Sequence, residues 1–493
     1  MKGPVLDAVR RGLAPGVVAL FDAVLAEAER LDVALYLVGG PVRDLLLGRG
    51  LRDLDLIVDP REDMPLAAEG LARAAAPEGA QVVSHDRFGT VRIEAADGAL
   101  DVATVRRESY ARPGALPTVE LGTLDDDLRR RDFTVNALAV PISTAARRGR
   151  PALIDPEGGR ADVGGGVLRI FHAASFHDDP TRALRAARLG ERLGFRLSRG
   201  SRTALRDAVG AGAFSAVSGD RWRREFEKLF DDARNGLDPA AALRRLAEWH
   251  VLGALEPGLG LPSAAIPALR RLGRSLAVPP FPSARLRPWA AGLAVWLAEV
   301  DATSRRRTLR RLAVRGELAQ RIVEFPRLRD RCLRTLATAR GRGAVDALLG
   351  GLDDERLLGI YVYAPPAGRR RLLRWALEDR TRRPPVSGAD LIAAGLTGPV
   401  VGAALARIRL AWLDGAVHTR DEAIALAREI GARLGRRNAK RPRTAAKRVA
   451  AEPATVKLKK ASLPAPEPSS ILPPASPPTR ALHPERQIGR AHV

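Results

Sequence analysis

The segment from residue 33 to residue 58 constrains the fold of this chain more than any other. An apolar stretch, Val33–Val38, predicts a buried strand that runs into a Gly-Gly turn at residues 39–40. Pro41 then predicts the start of a short helix, because proline at the first helical position loses no hydrogen bond and has a suitable φ. The residues Asp53–Val58 predict a second strand. The chain therefore places two strands and a short helix around one tight glycine turn.

Two carboxylates in this segment predict a metal site. Asp53 and Asp55 are two residues apart in the second strand, so both side chains are expected on one face of the sheet. Many Asp-x-Asp sequences are instead solvated turns or edge strands. Mg²⁺ prefers hard oxygen ligands and commonly uses one or two carboxylates together with substrate phosphates. Gly39 and Gly40 allow a backbone to approach a phosphate, and Arg43 follows them. The pattern favours Asp53 and Asp55 as Mg²⁺ ligands beside a phosphate site.

Composition narrows the class of protein. The chain has 493 residues, enough for several domains, and 46% of them are hydrophobic. A net charge of +24 favours a polyanion partner, and exposed arginine faces without a ligand are the alternative. A single cysteine, Cys332, excludes an internal disulfide and fits a cytoplasmic location. We recognise no secretory signal, and the longest apolar run, Trp289–Ala298, is too short for a membrane span. No protein partner can be inferred.

Changes in sequence pattern predict the domain organisation. Strand patterns occur at Gln81–Ser84, Thr90–Glu94 and Ala99–Thr104, and from about residue 165 the pattern is helical. Residues 436–493 are basic and proline-rich, with a net charge of +10, and cannot bury enough apolar surface to fold. The predicted segments are an N-terminal helix (1–32), an α+β head (33–163), a helical neck (164–235), a helical body and tail (236–435) and a disordered basic tail (436–493). The last seven residues, Gln487–Val493, match in-frame read-through of a sequencing adapter and carry no functional argument.

The first motif resembles a known family signature. Gly-Gly-x-x-Arg-Asp-x-x-Leu-Gly followed by Asp-x-Asp is typical of tRNA nucleotidyltransferases and bacterial poly(A) polymerases in the polymerase β superfamily. The resemblance implies a nucleotidyltransferase head followed by an all-α neck, body and tail. It implies transfer of a nucleotidyl group from ATP, with CTP left open, to an RNA 3′-hydroxyl. Asp101 is then a candidate third catalytic carboxylate, and a locally satisfied strand-end Asp is the alternative. The matching residues are Gly39, Gly40, Arg43, Asp44, Leu47, Gly48, Asp53 and Asp55.

Two later segments continue the resemblance. Residues 127–137 resemble Arg-Arg-Asp-Phe-Thr-x-Asn-Ala, a motif assigned to ribose and triphosphate recognition. It implies Arg131, Asp132 and Asn136 as nucleotide-binding residues, and a solvated charge run is the alternative. Residues 220–226 resemble the last motif of the family, a helical brace in which Glu225 is structural. The segment 155–162 resembles the flexible hinge between head and neck.

The segment 176–188 predicts a nucleotide-reading helix. Asp179 before Pro180 predicts an N-cap followed by the first helical residue. Capping and a basic solvent face would suffice to explain these residues. The resemblance, to a Glu-Asp-x-x-Arg motif, implies instead that Asp179 and Arg182 pair with the incoming base and that Arg185 and Arg188 reach the triphosphate. Cytosine and adenine each present an amino donor beside a ring-nitrogen acceptor, which a carboxylate and a guanidinium can read. Uracil and guanine reverse these polarities and leave buried groups unpaired.

Three hypotheses for function follow. The first is synthesis or repair of the tRNA 3′-CCA end, and the second is poly(A) addition to RNA. The third is a catalytically inactive RNA-binding relative, which the complete motifs disfavour. The residues Arg87–Thr90 and the block Ser387–Glu422 resemble tRNA nucleotidyltransferases. The loop Tyr110–Pro117 lacks the Asp-x-Arg-Arg-Pro form of full CCA-adding enzymes and resembles A-adding relatives.

Overall fold

The computed structural model describes residues 2–51, 53–60, 67–85, 89–109 and 118–439. Its described part combines a mixed β-sheet near the N terminus with a long helical remainder, which confirms the predicted α+β class. The predicted tail from residue 440 onward, the loop at 110–117 and residues 86–88 lie outside the described residues.

A six-stranded sheet forms the centre of the head, in the order β3-β4-β5-β2-β1-β8. Strands β2 and β5 are parallel, and the other neighbouring pairs are antiparallel. A separate hairpin of β6 and β7 lies beyond β5 in the chain. The strands are β1 (Ala34–Val38), β2 (Asp55–Asp59), β3 (Gln81–His85), β4 (Thr90–Ala95), β5 (Gly98–Thr104), β6 (Arg106–Ser109), β7 (Thr118–Leu121) and β8 (Ala139–Pro141).

The two faces of the sheet serve different purposes. Alternate residues such as Leu56, Val58 and Val102 pack into the large core beneath the N-terminal helices. The other face carries a smaller cluster that includes Tyr36 and Ile57. Since side chains alternate along a strand, the odd-numbered residues of β2, including Asp55, lie on this second face. The sheet therefore presents its acidic residues on the side opposite the main core.

The N-terminal helix predicted as one element is two. Helix α1 (Lys2–Gly12) ends before Leu13, and α2 (Pro15–Arg30) begins with proline in its first turn. Proline cannot continue a helix that precedes it without losing a hydrogen bond, so the break follows from Pro15. The short helix predicted at Pro41 is confirmed as α3 (Gly40–Leu46).

Helices make up almost all of the described chain beyond the head. A two-stranded parallel pair, β9 (Val167–Leu168) and β10 (Arg196–Leu197), is an exception that the helical pattern did not predict. The helices are α4 (Ala67–Ala75), α5 (Leu124–Arg129), α6 (Thr144–Arg147), α7 (Gly159–Gly165), α8 (Ser175–Asp178), α9 (Arg182–Leu193), α10 (Arg199–Gly210), α11 (Gly219–Asp231), α12 (Pro239–Glu248), α13 (Val251–Leu255), α14 (Ala265–Ala277), α15 (Pro288–Leu297), α16 (Ala302–Arg311), α17 (Gly316–Thr338), α18 (Arg342–Leu349), α19 (Asp354–Tyr363), α20 (Pro366–Arg374), a π-helical turn (Trp375–Asp379), α21 (Gly388–Ala393), α22 (Pro399–Leu413) and α23 (Arg420–Ala439).

The helices can be compared with two features predicted from the sequence, the apolar run and the boundary at residue 435. The apolar run at Trp289–Ala298 lies mostly in α15, and nearly all of that helix is buried in the protein core. Among the described residues, no helix has the length and apolar character needed to cross a membrane. Helix α23 continues to Ala439, four residues past the predicted boundary at 435.

Part of the large positive charge is used inside the fold. The guanidinium of Arg305 is buried and donates to the carbonyl oxygens of Leu297 and Val300, each at 2.7 Å. Arg311 similarly donates to the carbonyls of Val217 and Phe214. Since unpaired carbonyls at helix ends need donors, these arginines stabilise the packing of helices. They are therefore not available to a polyanion.

Candidate active site

A cleft of about 590 Å³ collects most of the residues implied by the sequence. The head contributes its floor through α3, β2 and β5, and α9 and α11 contribute the opposite wall. The predicted residues that line it are Gly40, Arg43, Asp53, Asp55, Asp101, Arg131, Asp132, Asn136, Asp179, Arg182 and Arg185. Positions more than a hundred residues apart in sequence therefore share one space.

The turn at Gly39 requires glycine for two reasons. Its φ of +73° lies in the left-handed region that other residues rarely adopt. A Cβ atom at this position would also lie 2.5 Å from Nη1 of Arg131 and 3.1 Å from Oδ2 of Asp55. The absent side chain thus keeps space open between a carboxylate and a guanidinium. This cradle is where a phosphate group or a cation would fit.

One of the three candidate carboxylates lies outside its predicted strand. Asp55 is the first residue of β2, but Asp53 precedes the strand, so the prediction that both lie in it is wrong for Asp53. The ladder between β2 and β5 begins at the pair of Asp55 and Asp101, and Asp53 lies before it. The alternation still holds, since Leu54 is buried and both carboxylates line the cleft. Asp101 in β5 is the direct neighbour of Asp55 across the parallel ladder.

The state of these carboxylates suits a divalent cation. No hydrogen bond or salt bridge joins Asp53 or Asp55 to another described residue. Burial in the cleft raises the pKa of Asp55, Arg131 opposes this rise, and the charges of Asp53 and Asp101 add to it. Among the described residues, no three His, Cys, Asp or Glu side chains form a metal-binding group. Two carboxylates plus substrate phosphates remain a donor set that fits Mg²⁺.

We expect Asp55→Asn to stabilise the protein at neutral pH in the absence of metal. The folded state binds the Asp55 proton more tightly than the unfolded state, because burial raises the folded-state pKa. Proton binding by Asp55 therefore stabilises the folded state fully at a pH below the pKa of Asp55 in the unfolded chain. This stabilisation is lost as the pH rises through the pKa of Asp55 in the folded protein. The variant avoids this loss, so its Tm should exceed that of the wild type by a few degrees near pH 7. The gain should vanish near about pH 3.

Asp126→Asn is a matched control for this measurement. Hydrogen bonds from Thr123 lower the pKa of Asp126, so its ionised form stabilises the fold. This variant should therefore lose stability at neutral pH, which is the opposite sign. Magnesium should raise the Tm of the wild type but not that of Asp55→Asn. Thermal unfolding in EDTA that finds Asp55→Asn no more stable than the wild type would contradict the assigned sign.

A buried arginine anchors the phosphate side of the cleft. Arg43 is only 2% exposed, and its Nε donates to Oδ1 of Asp44 at 2.9 Å. Its Nη1 donates to the side-chain oxygen of Asn136, whose own amide donates to Asp132 at 2.8 Å. The predicted nucleotide-binding residues Arg43, Asp132 and Asn136 therefore form one hydrogen-bonded chain. Such a chain fixes the orientation of each member before any ligand arrives.

Two further arginines are held in place by one buried carboxylate. Asp127 is fully buried and accepts hydrogen bonds from Arg130 at 2.6 Å and from Arg131 at 3.0 Å. Burial alone would raise the pKa of Asp127, but Arg131 and Arg130 outweigh it and hold this pKa below its ordinary value. The Nε of Arg131 is buried and has no hydrogen-bond partner among the described residues. Asp127 thus orients the guanidinium of Arg131, whose Nη1 lies beside Gly39.

The helix predicted to read the nucleotide begins later than expected. Helix α9 starts at Arg182, and its N-cap is Thr181 rather than Asp179. The carboxylate of Asp179 accepts instead from the backbone N–H and the hydroxyl of Thr181, and from Arg185 at 2.5 Å. Arg221 adds a fourth contact at 2.8 Å. Burial acts to raise the pKa of Asp179, but Arg185 and Arg221 outweigh it, so the group is held ionised.

Arg182 lines the same wall of the cleft as Asp179. It is 5% exposed, and its terminal nitrogens contact the hydroxyl of Ser175 and the carbonyl of Arg130 at 3.3 Å. Its Nε is buried and lacks a hydrogen-bond partner among the described residues. An unsatisfied buried guanidinium donor is costly, and a ligand acceptor would relieve that cost. Arg182 also lines the cleft, so its side chain lies beside any group bound there.

Arg188 is not among the described residues that line the cleft. Its guanidinium donates to Asp232 at 3.0 Å and to Glu225 at 3.1 Å, both on the neighbouring helical segment. Glu225 also accepts from Lys228, which agrees with the structural role expected for it. Residues three apart on an α-helix are displaced around its axis, so Arg188 lies on a different side of α9 from Arg182. Arg188 joins α9 to the neighbouring helix and lines a smaller pocket that shares Asp132, Asn136 and Arg185 with the cleft.

Several cleft residues escaped the sequence analysis. Arg221 reaches Asp179 from 42 residues away, and no local pattern marks such a contact. Arg130 and Arg106 both contact Glu108 at the base of the hairpin, at 3.0 and 3.3 Å. Arg130 stands in the triple-arginine run, so its neighbour Arg131 was the available signal. The remaining unpredicted lining residues are Pro41, Leu56, Ile57, Thr90, Ala103 and Arg192.

The segment expected to be a flexible hinge is well connected in the structure. Asp155 accepts from the backbone N–H of Gly159 at 2.6 Å and of Arg160 at 3.0 Å, at the start of α7. Asp162 is buried and accepts from the hydroxyl of Thr134 at 2.6 Å. The contact between Thr134 and Asp162 fastens the predicted nucleotide-binding segment of the head to α7.

Comparison with known proteins places the chain in a family. Residues 35–169 match the family model described as the poly(A) polymerase head domain. A CC-adding tRNA nucleotidyltransferase from Deinococcus radiodurans is 32% identical over 79% of this chain and 88% of its own length. The chain belongs to the tRNA nucleotidyltransferase family. The match to the Deinococcus protein extends well beyond the head, so the resemblance carried by the motifs is confirmed.

Further tRNA nucleotidyltransferases resemble the chain over different lengths. An A-adding enzyme from Geobacter sulfurreducens is 30% identical over 86% of this chain but only 48% of its own length. The chain spans between 28% and 55% of the length of the A-adding relatives that it matches. The solved Thermotoga maritima CCA-adding enzyme complexed with tRNA is 27% identical, with a TM-score of 0.64. That likeness covers 87% of this chain and 98% of the solved one.

Proposed function

We propose that this protein transfers AMP from ATP to the 3′-hydroxyl of a tRNA that ends in CC. The observation that carries the proposal is the cleft, which brings Asp53 and Asp55 together with Asp179 and Arg182. The similarity to A-adding enzymes, at 30% to 37% identity, supports adenylate as the added nucleotide. The likeness to a CCA-adding enzyme complexed with tRNA supports tRNA as the acceptor.

The proposed reaction is a single displacement at the α-phosphorus of ATP. The 3′-oxygen of the RNA forms a new bond to this phosphorus and loses its proton. The bond from the phosphorus to the bridging oxygen breaks, and pyrophosphate leaves with the electron pair. Asp53 and Asp55 would hold Mg²⁺, with Asp101 as a third candidate ligand. When bound, Mg²⁺ would lower the pKa of the 3′-hydroxyl and neutralise charge on the leaving pyrophosphate.

The protein side chains would position the nucleotide. Gly39 and Gly40 leave room for phosphate oxygens, and the fixed guanidinium of Arg43 supplies charge close to them. The Nη1 atom of Arg131 lies beside the same turn. The chain of Asn136 and Asp132 would orient the ribose by hydrogen bonds, because both side chains are already held in place. The fold therefore orders these groups before the nucleotide binds, so binding does not have to supply the entropic cost of ordering them.

On the opposite wall, Asp179 and Arg182 would select the base. Asp179 would accept from the amino group of adenine, and Arg182 would donate to its ring nitrogen. Because Thr181, Arg185 and Arg221 already contact Asp179, one of these contacts must lengthen when a base pairs with it. Arg185 would then turn toward the triphosphate. Arg188 would act indirectly, by holding α9 against Glu225 and Asp232.

Two other outcomes each have support. The Deinococcus relative, which the chain covers over 88% of its length, favours addition of cytidylate. The family model that matches the head carries the description of a poly(A) polymerase, which favours adenylate tails. The proposal for AMP on tRNA rests on the 30% to 37% identity to A-adding enzymes together with the RNA acceptor of the solved neighbour. We further propose a cytosolic location, where such tRNA ends are accessible.

The choice of RNA tests the proposal against poly(A) synthesis. The full chain, ATP and Mg²⁺ are incubated with a tRNA transcript that ends in CC and with an unstructured RNA of equal length. We expect one adenylate on the tRNA followed by arrest, and little extension of the unstructured RNA. Gel analysis that finds ladders of adenylates on both RNAs at similar rates would contradict the proposal in favour of poly(A) addition.

A further inference from the structure

One row of charged residues crosses three neighbouring strands on the cleft face. Asp55 in β2 is the Cα partner of Asp101 in β5, and Asp101 is the Cα partner of Arg92 in β4. Residues directly opposite one another on paired strands point to the same face. The three side chains therefore lie side by side in the order Asp55, Asp101, Arg92. The guanidinium of Arg92 therefore lies at the end of the row formed by two candidate metal ligands, Asp55 and Asp101.

Asp101 differs from the other two carboxylates because it is paired. Nη1 of Arg92 donates to Oδ1 of Asp101 at 3.0 Å and to Oδ2 at 3.1 Å. Nε of Arg92 donates to Glu94 at 2.8 Å. Both oxygens of Asp101 are thus engaged by a residue outside the set that lines the cleft, whereas Asp53 and Asp55 have no such pairing among the described residues.

This pairing accounts for the incomplete metal site. In the described part of the chain, Asp101 does not combine with Asp53 and Asp55 into a three-residue metal-binding group, although its backbone is the immediate neighbour of Asp55. A carboxylate that binds a metal must turn its oxygens toward that metal. Arg92 and Mg²⁺ therefore compete for the same oxygens of Asp101.

We propose that Arg92 is a positioning residue that holds Asp101 away from the metal site until a divalent cation binds beside Asp55. This inference deepens the proposed function, since it takes the metal site at Asp53 and Asp55 as given. Glu94 keeps Arg92 paired after Asp101 turns away, so no charge is left without a partner. The ion pair is about half exposed, with 41% of the Arg92 side chain and 47% of the Asp101 side chain accessible. Exposed pairs are weak, and a divalent cation can displace one.

Binding of Mn²⁺ to the full chain without RNA or nucleotide tests the proposal. Free Mn²⁺ is measured by electron paramagnetic resonance, which does not depend on turnover. We expect Arg92→Gln to bind Mn²⁺ about fivefold more tightly than the wild type, because the competitor for Asp101 is gone. In the Asp101→Asn background, Arg92→Gln should change nothing. Arg107→Gln, which breaks the cross-strand pair with Glu120 away from the cleft, is the matched control and should leave the affinity unchanged.

The outcomes separate this inference from the proposed function. An unchanged affinity in Arg92→Gln overturns the role of Arg92. An equal gain with and without Asp101 also overturns it, because the effect would then be one of general charge. If Asp55→Asn binds Mn²⁺ as well as the wild type does, the metal site of the proposed function fails, whatever Arg92→Gln does. Thermal unfolding of each variant shows that the compared proteins are folded.

Discussion

Asp53→Asn and Asp55→Asn should each reduce nucleotide transfer by about 10³-fold or more while the protein stays folded. Both carboxylates line the cleft without a hydrogen bond or salt bridge to another described residue, so their loss removes no structural contact found there. The effect should appear in kcat rather than in the KM for RNA. Single-turnover transfer from ATP to a tRNA ending in CC is the measurement.

Asp59→Asn provides the matched control for these variants. Asp59 ends the same strand as Asp55 but lies outside the cleft, where Arg150 approaches it at 3.7 Å. Its substitution removes one negative charge from β2 and should leave the rate within about twofold, as for most surface changes. Near-normal turnover of either cleft variant with Mg²⁺ would show that these carboxylates are not metal ligands.

Asp179→Asn and Arg182→Gln should relax the choice of nucleotide more than they weaken its binding. A site built to hydrogen-bond one base edge can reject the wrong one by about 10⁴, because its buried polar groups are left unpaired. Replacing either group removes that penalty, so we expect the preference for ATP over UTP and GTP to fall by about 100-fold. Single-nucleotide incorporation with each of the four nucleotides measures the change.

Arg188→Gln separates base reading from simple support of the helix. Arg188 lies on the same helix as Arg182 and forms ion pairs with Glu225 and Asp232, which are not among the residues that line the cleft. It should lower the Tm and keep the preference for ATP. If Asp179→Asn likewise loses only stability and retains its selection, Asp179 serves the structure of the turn and does not read the base.

Local patterns predicted the floor of the site well. The glycine turn, the proline-initiated helix and the alternation along β2 each depend on residues close in sequence, and the structure has all three. The placement of Asp53 outside the strand could not be predicted, since the end of a strand depends on pairing with residues distant in sequence. The start of α9 at Arg182 likewise depends on contacts that Thr181, Arg185 and Arg221 make with Asp179.

Distant ion pairs were beyond the reach of sequence reasoning. Arg221 and Arg92 each contact a predicted site residue, but the partner is fixed by helix packing in one case and by strand register in the other. Motifs identify which residues are present and cannot say which charges are already neutralised. For the same reason the sequence could not distinguish Arg305 from arginines that could bind RNA. The guanidinium of Arg305 is engaged by backbone carbonyls within the fold.

The nucleotides added to tRNA transcripts with different 3′ ends test the proposed function most directly. The full chain is incubated with Mg²⁺, all four nucleotides and transcripts that end before CCA or after CC, and the products are sequenced. We predict one adenylate on the transcript that ends in CC, one pyrophosphate released for each, and no extension of the shorter transcript. Addition of cytidylate to the shorter transcript, with no adenylate on the CC end, would contradict the proposed function.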